Sequence, residues 1–293
     1  MNRNFKIFKI ISKNNLFLFS FSNFCDKLIV GKEYAGEEVM GKSLFWKGLG
    51  ERLRPKSVLT AVILAGGRGE RMGSDVPKQF LDVAGIPAVV RSLLAFQNCE
   101  DVGDIVIVSG GGEKEIYREY CARYGLSKVR RVTVGGKTRQ ESAMAGLRVV
   151  RDDCDYIAIH DAARCLVTPE QIHAVYLDAK LYGAAAAACL VKDTIKIADS
   201  SGFVESTPER ARTWAAQTPQ IFKVDLYRAA AYTAQERGTA VTDDCMLAEA
   251  AGFRVKLTDC GYENIKLTTP DDLLTAEQIL AKRTADAEKE ETK

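Results

Sequence analysis

Short apolar stretches alternate with amphipathic segments from about residue 56 onward, and this alternation restricts the fold more than any other feature of the chain. The apolar stretches are short and contain few polar residues, as is typical of strands buried on both faces. They lie at 58–65, 104–109, 129–134, 155–160 and 183–191. Segments of helical length cover 88–98, 113–125, 139–151 and 169–182. This succession predicts an α/β fold: a Rossmann-like three-layer sandwich with a mostly parallel sheet.

The alternation stops after Val191. Two short extended stretches flank a turn at 199–202, which predicts a long β-hairpin arm, about 192–218, that projects from the sheet. An isolated hairpin is only marginally stable, so we expect a partner to cover the arm. The remaining elements are expected to be helices at 223–237, 242–252 and 270–283 and a strand near 254–258.

Composition excludes several classes of protein. The 293 residues include 41 basic and 39 acidic side chains, so no global charge favours nucleic acid or a membrane surface. The eight cysteines form no C-x-x-C pair, and the chain has two histidines, His160 and His173. Zinc-site spacing and a disulfide scaffold are therefore not indicated. If the protein binds an anion, it does so at a local site.

The two ends differ from the rest of the chain. Residues 1–25 contain four basic residues, six phenylalanines and no acid, and the apolar run within them is too short to span a bilayer. We interpret residues 1–55 as a disordered extension, 56–283 as the functional domain and 284–293 as a charged tail. The expected location is cytoplasmic. A transit peptide for plastid import is the alternative interpretation of the basic, apolar start.

A glycine-rich, basic loop follows the first buried strand. It reads AGGRGERM (65–72) and is followed by Pro77-Lys78. Within this loop the P-loop spacing G-x-x-x-x-G-K-[ST] is absent, and G-x-G-x-x-G fails because Met72 occupies the third glycine position. Glycines allow the backbone to approach a polyphosphate, while arginine and lysine supply charge to it. The loop therefore predicts a phosphate site of a third kind, beyond the carboxyl ends of the strands.

Five motifs in order resemble one family. They are AGGRGERM with PKQF, GGKTRQES (135–142), HDAAR (160–164), KDTIK (192–196) with AAQTPQIF (215–222), and TDD (242–244) with NIKLTTPDDL (264–273). Over about residues 57–283 the chain resembles the 2-C-methyl-D-erythritol 4-phosphate cytidylyltransferases. The resemblance implies transfer of CMP from CTP to methylerythritol phosphate with release of pyrophosphate, with Mg²⁺ as cofactor and a homodimer formed through the arm.

The resemblance also implies the roles of individual residues. Four basic residues are expected to act on the phosphates, with Arg210 holding the acceptor from the partner's arm: Arg71, Lys78, Arg210 and Lys266. Residues expected to bind CTP or the acceptor are Ala65, Gly66, Gly67, Gly69, Gly136, Arg139, Ser142, Asp161, Arg164, Thr194, Thr218, Thr242 and Asp243. Asp161 is also the expected metal ligand. Taken locally, GGKTRQES is equally well an ordinary turn and helix cap.

One departure from the family pattern and three alternative functions accompany this resemblance. The family usually has proline after HDAAR, whereas this chain has Cys165, which removes a restriction on φ at that turn. A ribitol-5-phosphate cytidylyltransferase would share the loop but not the acceptor, and HDAAR with KDTIK and NIKLTTPDDL favours methylerythritol phosphate. A sugar-1-phosphate nucleotidyltransferase fits the acceptor motifs less well. A nucleotide-binding protein without catalysis would be expected to lack one of the basic residues.

Overall fold

The computed structural model describes residues 9–12, 15–18, 58–67 and 77–291. The chain divides into two units, Met1–Arg54 and Pro55–Lys293. In the first unit, strands β1 (Lys9–Ser12) and β2 (Asn15–Leu18) pair in antiparallel fashion. The interpretation of residues 1–55 as an extension stays a prediction. The elements described below belong to the second unit.

The second unit alternates strands and helices as the sequence predicts. Its strands are β3 (Leu59–Ala65), β4 (Asp82–Val83), β5 (Ile86–Pro87), β6 (Val102–Ser109), β7 (Val129–Val134), β8 (Tyr156–Asp161), β9 (Ala184–Leu190), β10 (Ile197–Ala198), β11 (Val204–Ser206), β12 (Trp214–Lys223) and β13 (Lys256–Asp259). Its α-helices are α1 (Ala88–Asn98), α2 (Lys114–Tyr124), α3 (Arg139–Leu147), α4 (Pro169–Tyr182), α5 (Val224–Arg237), α6 (Asp244–Ala250) and α7 (Pro270–Glu291).

A seven-stranded sheet forms the centre, in the order β13-β9-β12-β8-β3-β6-β7. Six strands run parallel, while β12 runs antiparallel to both of its neighbours, β8 and β9. Strand β3 lies between β6, which is the next strand of this sheet along the chain, and β8, which follows β7. The order of strands therefore reverses beside β3, and a ligand crevice is expected at the carboxyl end of such a point.

Helices cover both faces of the sheet, which confirms the three-layer sandwich. Apolar residues of α1, α2 and α4 pack with alternate sheet residues such as Ile63 in one buried cluster. Residues of α3, α5 and α6 pack with the opposite alternation, such as Val62, in a second cluster. Because successive side chains of a strand point to opposite faces, Val62 and Ile63 contribute to different layers.

Helix starts follow the local capping chemistry. The Thr168 hydroxyl accepts a hydrogen bond from the Gln171 amide, and the Gln171 side chain accepts one from the Thr168 amide, which completes a capping box before Pro169. Asp272 accepts hydrogen bonds from the amides of Thr268 and Thr269 at the start of α7. Helix α7 extends to Glu291, eight residues beyond the expected end at 283.

The arm is a hairpin with its own two-stranded sheet. Strands β10 and β11 pair in antiparallel fashion across the turn at Asp199, as the sequence predicts. Several of its apolar side chains are exposed, with Phe203 74% and Val204 59% accessible. Its role in forming a dimer stays a prediction.

Strand β12 is the feature of the sheet that the strand predictions omitted. The sequence indicated a motif, AAQTPQIF, or a plain strand and turn, but not that this strand lies between β8 and β9 and joins the arm to the core. Its pairing with β9 is interrupted between Ala216 and Gln220. This irregular stretch contains Thr218 and brings it beside the end of β8.

Two absences hold for the part of the chain that the structure describes. No helix there combines the length and apolarity that crossing a membrane requires. The cysteines there are free thiols, and all but the partly exposed Cys121 are buried, as is typical of cysteines that pack as small apolar residues.

Candidate active site

The glycine loop begins at the carboxyl end of β3. A Cβ atom at Gly66 would lie 3.3 Å from the Gly110 nitrogen, because the ends of β3 and β6 approach closely there. A Cβ at Gly67 would lie 3.7 Å from Cε of Lys78, which begins a short 3₁₀ helix, Lys78–Phe80. The expected site residues Gly69 and Arg71 lie outside the described residues.

A cavity of about 240 Å³ opens at this end of the sheet. Nine of the expected site residues line it: Ala65, Gly66, Gly67, Lys78, Gly136, Arg139, Ser142, Asp161 and Lys266. Lys137 adds a further basic side chain, and Asp161 is the acidic residue among those that line the cavity. The sequence motifs thus converge on one predominantly basic pocket at the switch point of the sheet.

The GGKT turn is held by the first turn of α3. The Ser142 hydroxyl donates a hydrogen bond to the Thr138 carbonyl at 2.9 Å and accepts one from the Gly136 amide at 3.2 Å. The Thr138 hydroxyl accepts a hydrogen bond from the Glu141 amide and caps the helix. A Cβ at Gly136 would overlap the Glu141 side chain, so the turn requires glycine here. The motif therefore caps helix α3 and also lines the cavity.

Asp161, Arg139 and Lys266 form an ion-paired group at the base of the cavity. The Asp161 carboxylate accepts hydrogen bonds from Nζ of Lys266 at 2.6 Å and from Nε of Arg139 at 3.1 Å. Burial alone would raise the pKa of Asp161, but Arg139 and Lys266 outweigh it and hold that pKa well below its usual range. The carboxylate is therefore ionised at neutral pH and holds two cations that face the cavity.

Asp244 is a second acid at this site, and the sequence interpretation missed it. Its carboxylate lies 2.6 Å from Nη1 of Arg139 and is 1% exposed. Burial lowers the pKa of Arg139, but Asp244 and then Asp161 more than compensate and raise it. The TDD motif contains this residue, but the spacing of two adjacent acids did not show which of them faces Arg139.

The other members of the TDD motif have local contacts. Asp243 caps α6 by accepting a hydrogen bond from the Met246 amide, and it accepts another from the Gln220 side chain. The Thr242 hydroxyl lies 3.1 Å from the Met246 sulfur. Neither residue lines the cavity of the described chain. Their expected ligand contacts stay predictions.

The Arg164 guanidinium contacts backbone carbonyls and does not line the cavity of the described chain. It donates hydrogen bonds to the Asn264 carbonyl at 2.8 Å and to the Ala216 carbonyl at 3.3 Å, while its buried Nε has no partner within the described residues. Burial lowers its pKa, yet arginine remains charged at neutral pH. Cys165 beside it is buried, and burial raises the pKa of its thiol to about 11. A thiol therefore fills this turn as a neutral group.

His160 is a packed core residue. Its ring is inaccessible and lies 4.9 Å from the Phe96 ring, centroid to centroid. Nδ1 lies 3.1 Å from the Thr218 hydroxyl, which also accepts a hydrogen bond from the Asp161 amide. Burial lowers the pKa of His160 to about 3, so the imidazole is neutral and positions the end of β8.

Neutral burial of His160 makes stability depend on pH. The unfolded histidine takes up a proton near pH 6.5, whereas the folded one does so only near pH 3, so stability falls as the pH is lowered through this window. We expect His160→Gln to reduce the slope of unfolding free energy between pH 4 and 6 by ~1.4 kcal/mol per pH unit. Urea unfolding of both proteins at several pH values measures it. Equal slopes would contradict this explanation.

Two expected residues lie in or beside the arm. Thr194 precedes β10, and Arg210 begins a short 3₁₀ helix, Arg210–Arg212, that leads into β12. Both are exposed, and neither lines the cavity of the described chain. Within one chain the structure therefore does not bring them to the other site residues.

A larger cavity of about 510 Å³ lies between α3, α5 and α6. It includes Met144, Tyr227, Ala231 and Leu247 and shares only Thr138 with the smaller one. Size alone would favour this cavity as the site. The glycine loop and the group around Asp161 belong to the smaller cavity, so the chemistry places the candidate site there.

The side chains around the cavity suit a metal ion that is bound chiefly by the phosphates of a substrate. No cluster of three or more histidine, cysteine or acidic side chains occurs among the described residues. Mg²⁺ is commonly bound by one or two carboxylates together with substrate phosphates and water. Asp161 can supply one carboxylate at this site, although both its oxygens already contact cations. The residues thus fit Mg²⁺ that enters with a polyphosphate.

Fold and cavity together define an α/β protein that binds a phosphate-bearing ligand at the switch point of a mostly parallel sheet. The family model of the 2-C-methyl-D-erythritol 4-phosphate cytidylyltransferases (IspD) matches residues 59–282. The chain belongs to this family.

Similar proteins agree with this assignment. The cytidylyltransferase of Caldanaerobacter subterraneus subsp. tengcongensis is 43% identical over 225 residues, which are 76% of this chain and 99% of that protein. The one from Geobacillus kaustophilus is 43% identical over 226 residues, or 77% and 98% of the two chains. The crystal structure of 4-diphosphocytidyl-2C-methyl-D-erythritol synthase from Anaerococcus prevotii superposes with a TM-score of 0.69 at 26% identity, covering 78% of this chain and all of that one.

Proposed function

We propose that the protein transfers CMP from CTP to 2-C-methyl-D-erythritol 4-phosphate at the cavity beside the glycine loop. The observation that carries this proposal is the convergence of Lys78, Arg139, Lys266 and the loop backbone at one end of the sheet. Family membership supplies the reaction, and the cavity supplies groups suited to it.

The reaction needs charge stabilisation more than acid–base catalysis. An oxygen of the acceptor phosphate attacks the α-phosphorus of CTP, a new P–O bond forms, and the bond to the leaving pyrophosphate breaks. The nucleophile is already an anion, so no side chain has to remove a proton. Bringing two polyanions together and stabilising the charge of the transition state is the principal task. Lys78 and Lys266 are the described side chains that we assign to it, with Arg71 from the loop.

Asp161 organises the cations before the substrates bind. It holds Arg139 and Lys266 on its two oxygens, so these long side chains need not be ordered when CTP enters. We assign the backbone of the glycine loop and of the GGKT turn to nucleotide binding. Mg²⁺, when bound with CTP near Asp161, would neutralise phosphate charge. The protein groups supply the remaining orientation.

We further propose that two copies of the chain form the complete site. Thr194 and Arg210 do not line the cavity of the described chain, and the arm that carries them exposes Phe203 and Val204. A second copy could bury these apolar groups and bring Arg210 to the acceptor phosphate. Sedimentation of wild type and Phe203→Asp tests it: a dimer that dissociates in the variant supports the proposal, and a monomeric wild type contradicts it.

The acceptor is tested by measuring pyrophosphate release. Purified protein with CTP and Mg²⁺ is supplied with methylerythritol phosphate or ribitol 5-phosphate, and ATP replaces CTP as the nucleotide control. We expect release only with CTP and methylerythritol phosphate. Release only with ribitol 5-phosphate would retain the mechanism and change the acceptor, whereas none with either acceptor would favour a binding protein without catalysis.

A further inference from the structure

We propose that Asp244 and Tyr227 are positioning residues, which direct the Arg139 guanidinium toward the triphosphate of the nucleotide. This inference rests on the proposed function, because it takes CTP as the ligand of the cavity. It concerns two buried side chains that were not among the site residues expected from the motifs.

The first observation is that Asp244 is fixed from three directions. One carboxylate oxygen lies 2.6 Å from Nη1 of Arg139, and the other accepts a hydrogen bond from the Tyr227 hydroxyl at 2.6 Å. The backbone amide of Asp244 donates to the Gln220 side chain at 2.9 Å. Helix α6, helix α5 and strand β12 thus hold the carboxylate in one place.

The second observation is that Arg139 is held between two acids. Nε donates to Asp161 and Nη1 donates to Asp244, so two of the five N–H groups of the guanidinium are used in these bonds. Two contacts from different directions determine the plane of the group as well as its position. Arg139 lines the cavity, and its side chain is 27% exposed. The guanidinium can therefore present its further donors in a set direction.

The charges of four side chains distinguish positioning of Arg139 from simple electrostatic attraction of CTP. Arg139 and Lys266 carry two positive charges, and Asp161 and Asp244 carry two negative ones, so the four side chains are neutral as a set. A site that bound CTP only through its net positive charge would be better without the acid Asp244. The presence of this acid behind Arg139 therefore indicates that direction matters more here than charge.

Positioning and net-charge attraction predict opposite changes in CTP affinity when the charge of Asp244 is removed. Asp244→Asn makes the set more positive and weakens the hold on Arg139. If positioning dominates, CTP binds about 10-fold more weakly and the KM for CTP rises by a similar factor, since hydrogen bonds to charged groups carry energies of that order. The KM for methylerythritol phosphate stays within about 2-fold of wild type. If net charge dominates, CTP binds more tightly.

A matched control comes from Asp104. It is also a buried aspartate, bonded to Nε of Arg130 at 2.9 Å, but it lies near the beginning of β6, away from the carboxyl end of the sheet. Asp104→Asn is expected to lower the thermal unfolding temperature without changing either KM. Asp244→Asn is expected to lower the unfolding temperature and to raise the KM for CTP. A structural role alone would make the two variants alike.

Two further variants keep the test decisive. Tyr227→Phe removes only a hydroxyl, and we expect a smaller increase, about 3-fold, in the dissociation constant of CTP. Adding Asp244→Asn to Arg139→Gln should have no further effect on CTP binding, because the acid acts through the arginine. If Asp244→Asn does not fold, Tyr227→Phe alone decides between the outcomes.

Calorimetric titration with CTP and Mg²⁺, without acceptor, is the first readout, and steady-state kinetics is the second. Unchanged or tighter CTP binding in Asp244→Asn and Tyr227→Phe would overturn the inference. Weaker binding in these variants would support it, even if wild type released no pyrophosphate with either acceptor. A lack of pyrophosphate release would contradict only the proposed reaction. Failure of the positioning inference and failure of the proposed function therefore give different results.

Discussion

Lys266→Met is expected to lower kcat/KM by about 100- to 1000-fold, the range found when one group that stabilises a transition-state anion is removed. Methionine keeps the apolar stem of the side chain and removes only the ammonium group. Nζ of Lys266 lies 2.6 Å from Asp161. The substitution therefore also leaves the buried carboxylate with one cation fewer beside the bound phosphates. Pyrophosphate release at varied CTP and acceptor concentrations measures the effect.

Lys282→Met is the matched control for this prediction. Nζ of Lys282 lies 3.2 Å from a Glu263 oxygen, so both lysines bond to a carboxylate, but Lys282 is on helix α7 with a largely exposed side chain. We expect its kinetics to remain within about 2-fold of wild type, since surface ion pairs contribute little. Equal activities of the two variants would show that Lys266 is not part of the catalytic site.

Gly146→Ala is expected to destabilise the protein by ~1–3 kcal/mol, the usual cost of adding a methyl group to a closely packed core. A Cβ at this position would overlap Cγ1 of Val62 and lie 3.1 Å from Cγ2 of Val108. The gain in helix propensity, about 1 kcal/mol, offsets only part of this cost. Helix α3 must then move away from the sheet, and it carries Arg139 and Ser142. Thermal unfolding should show a decrease of several degrees, on the order of 5 °C.

A second substitution tests the assigned cause. Val62→Ala removes the atoms that the new methyl group would overlap, so the double variant is expected to lose less stability than the sum of the single variants. Chemical unfolding of wild type, both single variants and the double variant gives this coupling directly. Simple additivity would show that Gly146 is required for a reason other than its contact with β3.

Much of the fold follows from local patterns. The bounds expected for α1 and α4 coincide with those observed, and β3, β6 and β8 begin and end within two residues of the predicted positions. Apolar runs of strand length and the capping threonine Thr168 are local signals, so no distant contact is needed to recognise them. Two helix ends are exceptions: α7 continues to Glu291 rather than 283, and α3 is shorter than expected. Helix α3 ends at Leu147 rather than 151.

The candidate site was predicted in part. The motifs identified Asp161, Arg139 and Lys266, which the fold brings into contact although 105 residues separate Asp161 from Lys266. They did not identify Asp244, because adjacent acids at a helix start differ only in direction: Asp243 caps α6, and Asp244 points to Arg139. Nor did they show that Arg164 contacts the Asn264 and Ala216 carbonyls, since such contacts depend on strands that are distant in the chain.

By itself the amino-acid sequence determined the alternation of strands and helices, the positions of most helix starts, the mismatch of the loop after β3 with two common phosphate-loop spacings, and the motifs that resemble one family. These properties reside in neighbouring residues, so they need no knowledge of the chain's path. Only the tertiary structure decided that β12 runs antiparallel between β8 and β9 and that Asp161 contacts two cations at once. It also decided that Asp244 binds Arg139 and accepts a hydrogen bond from Tyr227. The physical reason is that ion pairs and buried hydrogen bonds require donor and acceptor atoms within about 3 Å of each other. Elements distant in the chain reach such separations only when they pack together.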